Sequence, residues 1–167
     1  MNNNKKIIRS AQRTLASELT SIKNLKSSFN ENFCRAVKLI YNTKGKVVLT
    51  GVGKSAHIGN KVSATLTSTG TPSYFVHATE ASHGDLGGIT KRDVILAISN
   101  SGQSNELNGI INYSKRCNIP LLSISSNRKG ILYQKSTHGI IYKKPIEPCP
   151  NNLAPTSSTS MMLIIGD

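Results

Sequence analysis

Val94-Ile95-Leu96-Ala97-Ile98-Ser99-Asn100-Ser101-Gly102-Gln103-Ser104-Asn105-Glu106 passes from an unbroken apolar run into a hydroxyl-rich turn. The run has the length and β-branched content of a buried strand, and Leu107, Ile110 and Ile111 beyond the turn keep helical spacing. A strand that empties through small polar residues into a helix is the repeating half of a parallel α/β fold. At such a helix start the first N–H groups lack partners and the macrodipole is positive. The turn therefore reads either as an ordinary cap, for which Ser and Asn are favoured, or as an anion cradle with Glu106 beside it. Three serines around Gly102, at 99, 101 and 104, exceed what one cap requires and favour the anion site.

The same rhythm extends in both directions. Short β-rich runs at Val47–Thr50, Tyr74–Val76, Val94–Ile98, Leu121–Ile124 and Ile140–Tyr142 alternate with helical segments. The alternation predicts an α/β three-layer sandwich, a five-stranded parallel sheet with helices on both faces. Upstream, Ile8, Ala11, Leu15, Leu19, Ile22 and Leu25 mark a long amphipathic helix over about residues 4–26. Phe33, Ala36, Val37 and Ile40 mark a second helix, which the Asn42-Thr43-Lys44-Gly45 cluster ends. The expected organisation is thus a helical segment, residues 1–45, packing on a core domain, residues 46–167.

Composition narrows the function. A chain of 167 residues is one domain's worth and can bury about 70% of its unfolded surface. Cys34, Cys117 and Cys149 are odd in number and lack a C-x-x-C pair, which argues for a reducing, cytoplasmic setting and against a zinc module. No apolar run is long enough for a membrane span, and the N-terminus lacks a secretory apolar core. The net charge of +13 raises the question of nucleic acid. It is spread, however: residues 1–50 carry ten Lys/Arg and two Glu, residues 51–167 eleven Lys/Arg and six acids, and Trp is absent. A solvated basic surface, compatible with a small anionic substrate and without a nucleic-acid partner, fits better.

Ligands in open parallel sheets bind beyond the carboxyl ends of the strands. The segments there are Gly51-Val52-Gly53-Lys54-Ser55, His77 to Asp85, the serine turn, and Ala154-Pro155-Thr156-Ser157-Ser158-Thr159 after a proline-rich stretch. Gly51-x-Gly53-x-x-Ala56 half-matches a dinucleotide fingerprint, but Gly70 to Val76 supply no carboxylate for a ribose. Gly53-Lys54-Ser55 half-matches a P-loop whose first glycine would fall at Val48, inside a strand. What survives is a tight turn presenting Lys54 and Ser55 at a helix start.

Five runs then carry a resemblance: Gly53-Lys54-Ser55 with His57-Ile58-Gly59, Ser68 to Ser73, His83-Gly84-Asp85-Leu86-Gly87, Ala97 to Gly102, and Leu153 to Thr159. In this order they resemble the sugar isomerase (SIS) domain family, and within it the arabinose-5-phosphate isomerases, over nearly the whole chain. The resemblance implies a flavodoxin-like sheet and aldose–ketose isomerisation between D-arabinose 5-phosphate and D-ribulose 5-phosphate, a precursor step for lipopolysaccharide. It implies catalytic Lys54, Glu106 and Glu147, with Glu106 as shuttling base and Lys54 as electrostatic partner. Ser55, Ser99, Ser101, Ser104, Thr156, Ser157 and Ser158 would hold the phosphate, and Gly70, Thr71, His77 and His83 would line the sugar site. No cofactor is required; a zinc ion at His77 is a further family-based expectation. The partners implied are the sugar phosphate and further copies of the chain in a homo-oligomer.

Two departures stand out. Gln103 replaces the family's usual Glu, removing a charge near the phosphate turn. The family also continues into a His-Pro-Gly-Gly segment and usually into CBS domains, so the α/β domain reads as C-terminally incomplete. A missing general acid would cost about 10²- to 10⁴-fold in rate. A non-catalytic sugar-phosphate-binding or regulatory protein, or an inactive gene fragment, are the alternatives.

Overall fold

The computed structural model describes residues 3–151 and 153–167. Among these, five strands form one parallel sheet: β1 (Val47–Gly51), β2 (Ser73–His77), β3 (Val94–Ile98), β4 (Leu121–Ser125) and β5 (His138–Ile141). Their order is β2-β1-β3-β4-β5. The connection reverses direction between β1 and β3, which opens a crevice at the C-edge of those two strands. Register places Gly51 beside both His77 and Ile98, so the loops that follow β1, β2 and β3 leave the sheet at the same level.

Side-chain alternation divides the core. Val47, Leu49, Val94, Leu96, Ile98, Leu122 and Ile124 face one buried cluster, whereas Val48, Ile95, Ala97 and Leu121 face the other. The first cluster is covered by α2 (Glu31–Tyr41), α3 (Gly53–Ser68) and α7 (Ser157–Gly166), with Ala36, Val62 and Met161 as buried anchors and Leu25 joining them from the 3-10 turn Asn24–Ser28 before α2. The second is covered by α4 (Ala78–Ala81), α5 (Asn108–Cys117) and α6 (Ile131–Lys135). The three-layer arrangement expected from the alternation is present. Helix α2 starts where Asn30 accepts a hydrogen bond from the Asn32 N–H at 3.0 Å.

Helix α1 (Asn3–Lys23) forms as its periodicity predicts, but its apolar stripe is largely uncovered. Ile7, Ile8, Leu15 and Leu19 are 60, 56, 57 and 48% exposed, and burial begins only at Ser21 and Leu25. A second apolar surface, a groove of about 280 Å³, opens between α2, the sheet face at Leu122 and Ile140, and the last turn of α7 at Ile165.

At the N-edge, the buried Asp93 carboxylate ties β1 to β3. It accepts from the Lys46 N–H at 2.7 Å, the Thr90 N–H at 2.6 Å and the Thr90 hydroxyl at 2.9 Å. Burial pushes its pKa up, but these donors outweigh it and hold the carboxyl below its ordinary value. A depressed folded pKa contributes stability above the unfolded value and loses it as pH falls through the folded one. Asp93→Asn is therefore expected to lower unfolding free energy by about 2 kcal/mol at neutral pH in urea titration. The difference between variant and parent should shrink below pH ~3.9.

Candidate functional site

The crevice at the switch point holds a cavity of about 260 Å³. From the β1–α3 turn come Lys54 and Ser55, from the turn after β3 come Ser99, Asn100, Ser101 and Ser104, and from α7 come Ser158 and Thr159. Three chain segments far apart in sequence thus converge on one hydroxyl-lined space. Among the described residues Lys54 is the sole charged one in its wall, so the site is poised for an anion.

Local chemistry shapes the serine turn. Ser99 is 3% exposed; its Oγ accepts from the Gly102 N–H at 3.1 Å and lies 3.3 Å from Ser104 Oγ. Ser101 Oγ accepts from the Gln103 N–H at 3.2 Å. Gly102 stands at φ +62°, and a Cβ there would lie 2.9 Å from Ser125 Oγ, so the turn requires glycine for both conformation and space. The loop after β4 braces it from outside: Asn127 Nδ2 donates to the Ser101 carbonyl at 3.0 Å. The turn enters a 3-10 segment, Asn105–Leu107, before α5, and Glu106 is exposed on it at the helix approach.

Glu147 is placed differently. Its carboxylate sits on the start of α7, Oε2 accepting from the Thr156 and Ser157 N–H groups, each at 2.8 Å, and Oε1 from the Ser158 N–H at 3.1 Å. Burial pushes its pKa up, but the donors at the α7 start win and hold the carboxyl below its ordinary value. The anion-binding capacity of this helix start is therefore filled from within the chain. The Thr156, Ser157 and Ser158 hydroxyl oxygens are all buried without a partner among the described residues, and of the three residues it is Ser158 that lines the cavity.

The remaining expected residues lie apart from the cavity. His77 ends β2 next to Gly51, and its Nδ1 accepts from the Thr79 N–H at 3.4 Å; His83 is exposed after α4. Gly70 and Thr71 precede β2 and so lie at the N-edge, where the neighbouring Pro72 carbonyl accepts from the Val47 N–H. Helix α3 carries the chain from the C-edge to this opposite one, and Thr71 borders the apolar groove. Among the described residues no three His, Cys, Asp or Glu side chains gather closely enough to hold a metal. Sequence reasoning misses Asn100 as a site residue, although its place between Ser99 and Ser101 is a signal that could have found it.

The sheet order is that of a flavodoxin-like α/β domain, and the cavity lies at its switch point, where folds of this kind bind their ligands. The chain belongs to the SIS domain family, which matches residues 39–167. It is 47% identical over 163 residues to arabinose 5-phosphate isomerase KdsD of Francisella tularensis, and 46% identical over 167 residues to that of Pseudomonas aeruginosa. These alignments take in 96 and 100% of the chain but 50 and 51% of the relatives, so it spans about half their length. The solved structure of E. coli CFT073 c3406 in complex with arabinose 5-phosphate superposes with a TM-score of 0.94 at 36% identity, covering 100% of this chain and 88% of that one. No helix among the described residues is long and apolar enough to cross a membrane.

Proposed function

We propose that the chain is the SIS portion of a cytoplasmic aldose–ketose isomerase acting on D-arabinose 5-phosphate and D-ribulose 5-phosphate. The observation that carries this reading is the convergence of Lys54, Ser55 and the serine turn on one cavity, in a chain similar to named isomerases of that substrate. The serine hydroxyls and the turn bind the phosphate dianion, and Lys54 supplies positive charge. With the sugar opened to its aldehyde, a carboxylate removes the C2 proton as electrons move to O1, giving a cis-enediol(ate). Return of a proton to C1, with transfer of the hydroxyl proton from O2, gives the ketose. Glu106 is the proposed shuttle and Lys54 the stabiliser of charge on oxygen. Aldose and ketose are isomers, so the reaction needs no net oxidant or reductant. Proton NMR of ribulose 5-phosphate with the protein in deuterated water tests this: exchange at C1 and appearance of arabinose 5-phosphate are expected, and the absence of both sinks the catalytic reading for this chain.

The engagement of Glu147 favours a second reading. A carboxylate already accepting three N–H bonds holds the protein rather than a substrate proton, which suits a site that binds sugar phosphate without turnover. Calorimetric binding of arabinose 5-phosphate without isotope exchange would select it.

Homo-oligomerisation is part of the proposal. The stripe on α1 leaves Ile7, Ile8, Leu15 and Leu19 about half exposed along one helix, the kind of apolar surface that marks an interaction site. Light scattering is expected to report an assembly larger than 18.0 kDa that the double substitution Ile8→Asp, Leu15→Asp dissociates.

A further inference from the structure

Asn100 is fixed at both ends. Its backbone carbonyl accepts from the Ser126 N–H at 3.1 Å, the Ser126 hydroxyl at 2.8 Å and the Ser125 hydroxyl at 3.3 Å. Its side-chain Oδ1 accepts from the Tyr142 hydroxyl at 2.9 Å. Tyr142 follows β5 and is 1% exposed. Burial, with the negative charge of Glu147 nearby, raises its pKa, so the hydroxyl keeps its proton and needs an acceptor. Asn100 Oδ1 is that acceptor. The reversed amide would leave the buried hydroxyl proton unpaired and turn an acceptor oxygen towards an anion site. The orientation that satisfies Tyr142 leaves the amide's NH₂ as its free end, without a hydrogen bond among the described residues, on a residue that lines the cavity between Ser99 and Ser101.

We infer that Asn100 donates its side-chain NH₂ to the phosphate of the bound sugar, and that Tyr142 is the positioning residue that sets this donor's direction. The inference rests on the sugar-phosphate reading above and adds a specificity element to it. An amide locked as a donor favours a dianion with acceptor oxygens only, whereas an amide free to turn discriminates less. Asn100 supplies this donor without adding charge, beside a turn in which Gln103 is neutral as well.

The test is made on the ¹⁵N-labelled full chain, titrated separately with inorganic phosphate and with arabinose 5-phosphate while the Asn100 side-chain NH₂ and the backbone resonances of Ser101 and Gly102 are followed. Both ligands are expected to shift the NH₂ pair together with the turn. Asn100→Ala should weaken binding about 10-fold, the scale of one hydrogen bond to a charged group, and Asn100→Asp more strongly, by placing a carboxylate against the phosphate. Tyr142→Phe should leave Asn100 in place but release its amide, giving an altered NH₂ signal and a loss of about 3-fold, on the scale of one neutral hydrogen bond. If the turn resonances move with ligand and the Asn100 NH₂ does not, the inference fails while the site reading stands. If Asn100→Asp binds phosphate as well as the parent, it fails also. If neither ligand moves the turn in the parent protein, the site reading fails and the inference with it. The parent titration needs no variant, so a substitution that unfolds the chain does not decide the matter.

Discussion

Lys54→Met should lower turnover in the isotope-exchange assay by about 10²- to 10³-fold, the usual penalty for removing one preorganised electrostatic donor. Lys54 is the single charge that the described residues place in the cavity wall, so the lost stabilisation has no neighbour there to replace it. Which constant changes is as informative as the size of the change. A residue that meets charge developing on the sugar oxygens lowers kcat and kcat/KM equally, whereas one that meets the phosphate alone raises KM with kcat preserved. The first pattern places the ammonium at the reacting carbons, and the second moves it to the phosphate. Should Lys54→Met retain parental kinetics, Lys54 has no role in the reaction and the cavity's use as an active site is wrong.

Glu147→Gln should destabilise the fold by about 3 kcal/mol, a larger loss than that expected for Asp93→Asn. The carboxylate accepts three N–H groups at the α7 start, and an amide offers one oxygen and a nitrogen that faces donors with donors. Loss of the negative charge at a helix N-terminus adds to this. For a chain of this size a Tm fall of about 6–12 °C follows, measurable by circular dichroism. The pH sign is fixed by the depressed pKa. The parent's extra stability is present above pH ~4.3 and fades as pH falls through the lower folded value, so parent and variant converge in acid. A variant with parental Tm and parental acid sensitivity would show that the clasp contributes nothing.

The sheet is legible because its signal is one-dimensional. Val94–Ile98 is so uniformly apolar that only a strand buried on both faces accommodates it, and the structure gives those limits without change. The strand ends are less clear. Tyr142 reads as the last residue of β5 but lies just beyond it, its hydroxyl drawn to Asn100 by a contact across 42 residues that periodicity cannot reveal. The N-terminal helix is plain in its spacing, whereas what its apolar stripe packs against is not readable, since amphipathicity gives a face and not its partner. For the site, the strand-end rule brings Lys54, Ser55 and the serine turn together. It has no purchase on Glu147. A lone acid in a proline-rich stretch has no local pattern, and its capture of α7 depends on a loop path that only coordinates disclose. Gly70 and Thr71 are tied to the site by similarity of sequence alone, since the chain's crossing of the sheet sets them at its N-edge.

Two helix approaches border one small space, and each is suited to negative charge. The approach at α7 is satisfied above the carboxylate's pKa by a side chain of the molecule itself, while the other is left to whatever diffuses in. Exchangeable anions in the surrounding medium can therefore contest only the serine side. The clasp belongs to the scaffold whereas occupancy of the serine side follows the medium, so the ligand preferred there can drift through mutation without loosening the scaffold that presents it.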